Sequence, residues 1–104
     1  MDSDWKARSL AFAPNERLDA MQAIHDERRY QAERWNEHTT STAGRHSVTE
    51  FLVYMRDYVE EALHVVSREA DPEASEKALH IVRKVAALGV ACMEQNGVRR
   101  RGGL

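Results

Sequence analysis

The run at positions 81–97, IVRKVAALGVACMEQNG, constrains this chain more than any other stretch. It is the longest apolar run, and between positions 85 and 93 no side chain is charged. Gly97 stands where a helix of this kind stops. A helix that is apolar on all sides is buried on all sides. A chain of 104 residues has little with which to bury it, because small domains hide a smaller share of their surface than large ones. The run therefore points to assembly before chemistry. Val85, Leu88, Gly89 and Cys92 are expected to pack within or between chains, with Trp35 as a further interface residue. Gly89 costs about 1 kcal/mol against alanine inside a helix, so a close helix crossing is expected there.

Three helices are expected, in an all-α fold. Pro14-Asn15 opens the first, at about 15–36, with Asn15 as N-cap and Glu16 at the positive end of the dipole. Leu18, Met21, Ile24 and Trp35 follow at helical spacing. Residues 1–14 carry Trp5, Leu10 and Phe12 without a sustained period and read as an N-terminal arm. The stretch EHTTSTAGRH at 37–46 reads as a loop. Ser47-Val48-Thr49-Glu50 is a capping box and starts the second helix, at about 47–68. Its apolar residues form one stripe from Phe51 to Val66. Asp71-Pro72 opens the third helix, at about 71–96, with Asp71 as N-cap. The short 69–72 turn makes helices two and three an antiparallel hairpin, which self-association would complete as a bundle. The domain spans 15–97, followed by a basic tail at 98–104.

The totals exclude several classes. Fifteen Lys and Arg against seventeen Asp and Glu give a net charge of -2, no footprint for nucleic acid. One cysteine rules out an internal disulfide, and its apolar neighbours mark Cys92 as a packing residue, not a nucleophile. No run reaches the roughly 18 apolar residues of a membrane span, and the first residues lack a signal-peptide core. A soluble cytoplasmic protein is the expectation.

Two sets of side chains invite chemistry. Glu61 and His64 stand three apart, a Glu-x-x-His pair that places both on one helix face, as in carboxylate-bridged metal bundles. His80 on the facing helix is a possible neighbour, although such centres need a second motif and further acids. Lys84 lies within the apolar half of helix three and must snorkel, meet Glu61 or bind an anion. Arg45, Arg99, Arg100 and Arg101 would join Lys84 as phosphate ligands if they converge.

The order of motifs also carries a resemblance. Glu27-Arg28, Tyr30-Gln31 and Trp35 spell E-R-x-Y-Q-x-x-x-W. His38, His46-Ser47, the FLVYM helix at 51–55 and KVAALGVACMEQNG at 84–97 follow. Over about residues 22–101 this resembles small phage- and prophage-type proteins similar to MazG-like nucleotide pyrophosphohydrolases. The resemblance implies an all-α fold assembled as dimers or tetramers of helical hairpins. It also implies magnesium-dependent cleavage of nucleoside triphosphates, with acids from E-x-x-E and E-x-x-D motifs on successive helices. A hard cation of that kind wants several carboxylate oxygens. By register, those acids fall at Tyr58, Glu61, Ile81 and Lys84, and only Glu61 matches. The reading is therefore a non-catalytic helical protein that binds a macromolecule, such as a host or defence protein, with no cofactor expected. The alternative is a Mg²⁺-dependent pyrophosphohydrolase or nucleotide binder with an altered site, Glu61 being its one acid. A homodimer is the expected assembly under either reading.

Overall fold

A computed structural model describes residues 2–34, 45–68 and 71–102 of the chain. Side chains are described from position 15 onward, Arg68 excepted. The architecture is all-α: α1 Asp2–Arg34, α2 Val48–Arg68 and α3 Ala74–Asn96. No strand occurs among the described residues. The loop expected at 37–46 and Trp35 fall mostly outside them.

The first helix departs from the sequence expectation. It starts at Asp2, not Asn15, and carries Pro14 within its length. Pro14 lacks the N–H that would bond back one turn, so the backbone ladder of α1 has a gap there. At 33 residues, α1 is about 50 Å long.

The second helix begins as its sequence dictates. Glu50 N donates to Ser47 Oγ at 3.1 Å, and Ser47 N donates to Glu50 Oε1 at 2.9 Å, closing the capping box. His46 ties this start to the far end of α3. Its N–H donates to Gln95 Oε1 at 2.8 Å, and its carbonyl accepts from Asn96 Nδ2 at 3.2 Å. Its ring stands edge-on to Phe51 and Tyr54.

The third helix begins three residues later than expected. Asp71 organises the turn before it: Oδ1 accepts from Glu73 N at 2.8 Å, and the carbonyl accepts from Ala74 N at 3.0 Å. Asp71 also pairs with Lys77 at 2.6 Å, one turn into the helix. At the other end Gly97 has φ 82 and ψ 151, and its N–H donates to the Met93 carbonyl at 2.8 Å. That region of backbone space is essentially confined to glycine.

Among the described residues α3 packs against both other helices, whereas α1 and α2 each lie on it and not on each other. Phe51 from α2 and Leu88 and Ala91 from α3 form the buried centre, with Met55, Tyr58 and Cys92 packed round it. The molecule measures 50 × 47 × 22 Å. Its least dimension is two helix diameters, so the hairpin is one layer and α1 the other.

The capping carboxylates make stability depend on pH. Hydrogen bonding from the Ser47 backbone, then from the His46 side chain, holds Glu50 below the usual glutamate range. The Lys77 ammonium, then the Glu73 N–H, does the same for Asp71. A folded-state pKa lowered in this way adds stability above the ordinary carboxylate value, and that stability is lost as pH falls. Urea midpoints are expected to hold from neutrality to about pH 5 and to drop below about pH 4. Glu50→Gln should blunt that drop, and Ser47→Ala should cost about 1 kcal/mol at neutral pH.

Candidate functional site

Two regions of the surface have the character of a site, and they lie on opposite sides of the hairpin. The first is the place where α1 crosses α3. Adjacent residues of α1 reach in opposite directions along α3. Arg28 Nε and Nη2 donate to the two oxygens of Glu94, at 3.1 and 2.9 Å. Arg83 Nε donates to Glu27 Oε1 at 2.9 Å. Arg83 and Glu94 are about 16 Å apart along the α3 axis, so α1 passes steeply across α3 and is clamped on both sides. Between the clamps Gln31, 8% exposed, donates from Nε2 to the Lys84 carbonyl at 3.2 Å. Gln31 Oε1 and Arg28 Nη1 are buried without a hydrogen-bond partner.

Lys84 lies in a crevice of about 370 Å³ at this crossing, with Glu27, Tyr30, Gln31, Arg34, Tyr58 and Leu88. Its ammonium is 5.7 Å from the centre of the Tyr58 ring. The Arg34 guanidinium is 5.0 Å from the centre of the Tyr30 ring. Among the described residues no carboxylate pairs with the Lys84 ammonium, so of the alternatives for Lys84 the pairing with Glu61 does not form. Glu61 and His64 are both exposed. No three His, Cys, Asp or Glu side chains converge as a metal site among the described residues. Arg45, Arg99, Arg100 and Arg101 are exposed and belong to the far end of α3. Lys84 is more than three turns away from that end, about 20 Å by helical rise, and does not converge with them.

The second region is an uncovered apolar face. On α2 the positions turned to α3 are Phe51, Met55, Tyr58 and Ala62. One residue further round stand Leu52, Val59, Leu63 and Val66, all exposed, Leu63 by 59%. On α3 the positions turned to α2 include Ile81, Leu88 and Cys92. One residue on stand Val82, 53% exposed, and Met93, 44% exposed. In an antiparallel pair of right-handed helices, a step of one residue on each leads to the same side of the pair. The two rows therefore form one face, with an entirely apolar groove of about 340 Å³ between Val59, Leu63, Val66 and Val82.

The residues singled out in the sequence are thus mostly spent inside the chain. Leu88 is buried, and Val85, Gly89 and Cys92 are half-buried within the hairpin. A Cβ on Gly89 would meet Met55 Cε at 3.7 Å, an ordinary contact, so no close crossing within the chain requires this glycine. The groove residues are hidden in the sequence within the single stripe of α2, whose width of two adjacent rows is the signal that marks them. No protein-family model, curated protein or solved structure matches this chain. No helix among the described residues is long and apolar enough to cross a membrane.

The clamp has unequal halves. The Arg28 side chain is 17% exposed and Glu94 is 49% exposed. Removing Glu94 strands a largely buried guanidinium, whereas removing Arg28 leaves a carboxylate that water can reach. Glu94→Ala is expected to cost about 1–2 kcal/mol in urea unfolding, and Arg28→Met less.

Proposed function

We propose that the protein works by binding another protein and not by catalysis, and that it binds with the apolar face of the α2–α3 hairpin. The observation that carries this reading is the double row of large apolar side chains left in water on that face, at Leu52, Val59, Leu63, Val66 and Val82. Contiguous apolar surface of this kind marks interaction sites in soluble proteins. The first partner is a second copy of the chain. A two-fold contact needs one self-complementary patch, and two hairpins laid face to face would bury both rows as a four-helix core. A host or defence protein is the further macromolecular partner, and the cytoplasm the compartment, that suit a small protein of phage type.

The MazG-like resemblance belongs to the same reading, as a hydrolase scaffold without its acids. Of the four positions where acids are expected, Ile81 is 6% exposed within the hairpin. Tyr58 packs on the core, and the Lys84 ammonium lies over its ring. Glu61 alone is acidic, and one carboxylate is a poor cage for Mg²⁺. The second reading is a nucleotide binder or Mg²⁺-dependent pyrophosphohydrolase with an altered site. What favours it is the cationic crevice at Lys84.

Light scattering at micromolar concentration is expected to give the mass of a dimer. Leu63→Glu combined with Val82→Glu should give a monomer with an unchanged helical circular dichroism spectrum; a wild-type monomer would sink the self-association proposal. Incubation with a panel of nucleoside triphosphates and Mg²⁺ should release no pyrophosphate. Release that disappears in Glu61→Gln would instead establish the enzyme reading.

A further inference from the structure

We propose that the crevice between α1 and the hairpin at Lys84 binds a small organic monoanion, a carboxylate carried on a flat apolar body. The inference goes beyond the protein-binding reading, since the crevice lies on the α1 side of the hairpin and the groove on the other. Four observations meet there. The Lys84 side chain is half-buried, yet its ammonium has no carboxylate partner among the described residues. An unpaired ammonium at the edge of a crevice offers an anion from solution a charge-assisted partner. The one acid lining the crevice, Glu27, is already bound to Arg83 at 2.9 Å.

Two tyrosine rings stand beside the charge, Tyr58 next to Lys84 and Tyr30 next to Arg34. They offer flat apolar surface to a ring on the ligand, in the stacked or edge-on geometries that aromatic pairs prefer. The space, about 370 Å³, lies at the small end of the range for small-molecule sites. The charge balance limits the ligand further. Arg83 neutralises Glu27 in the adjoining space, but Asp26 lines it as well, so the second charge of a polyanion would meet a carboxylate there. A single negative charge on a flat body satisfies Lys84 without that penalty.

The test uses phenylacetate as the probe, with tyrosine ring and lysine side-chain NMR signals of the full chain as the readout. Saturable shifts are expected at Tyr30, Tyr58 and Lys84. Phenylacetamide, the neutral isostere, should bind about tenfold more weakly, the loss of one charge-assisted hydrogen bond. Lys84→Met keeps the aliphatic stem and should weaken phenylacetate by a similar factor. Tyr30→Leu should weaken it while leaving the unfolding midpoint in place, because Tyr30 is half-exposed. The proposal is overturned if phenylacetate gives no saturable shift up to its solubility limit. It is equally overturned if the amide binds as well, or if Lys84→Met changes nothing. Tighter binding of phenyl phosphate or ATP than of phenylacetate would show that the site takes polyanions, and would also overturn it.

Discussion

Everything in this fold depends on α3 serving two neighbours at once. A helix has one circumference, and α3 divides it three ways. One row, with Ile81, Leu88 and Cys92, packs on α2. The row before it, with Lys84, lies under α1, which is held by Gln31 and the two ion pairs. The row after it, with Val82 and Met93, faces water. An all-round apolar helix was bound to leave such a remainder in a two-layer molecule. The third side is a consequence of having only two other helices among the described residues.

The join between α1 and α3 is polar where the join between α2 and α3 is apolar. Burial holds the hairpin, whereas directional bonds hold the crossing. Arg28 with Glu94 and Glu27 with Arg83 form a charge pattern that reverses across one peptide bond of α1. That pattern fixes the direction and position of the crossing, because a shifted α1 would set Glu27 against Glu94 or Arg28 against Arg83. Ion pairs at partly exposed positions add little stability each. Their contribution here is to register, and the crevice at Lys84 exists because the register is fixed.

Much of this was legible in the sequence, and the exceptions have physical causes. The capping box at Ser47 and Glu50, the hairpin, and the stop at Gly97 are local signals, and the structure follows them. Asp71 was read as a helix cap, but it closes a turn one step earlier, because its side chain is satisfied by Glu73 N and Lys77. The start of α1 was misplaced because Pro14 is as suited to opening a helix as it is awkward inside one. The Lys84 site was half legible. A lone lysine in an apolar run announces itself, but its choice of Tyr58 over Glu61 is decided by packing between elements. The reciprocal clamp was not legible at all, since its partners are more than fifty positions apart.

The size of the core and the exposure of the hairpin's free face are one fact seen from two sides. Among the described residues, Phe51 and Leu88 are the large side chains buried completely. The apolar residues that would enlarge it are present, but they stand one position round from the contact row on both α2 and α3. Moving them inward would require a rotation of both helices, which would expose Phe51 and Leu88 in exchange. No internal rearrangement buries both rows, because each helix of a pair can turn only one row to its neighbour. A third layer would hide the second row, and among the described residues the remaining helix, α1, lies on the opposite side. The second apolar row of the two helices therefore stays in water in the protomer.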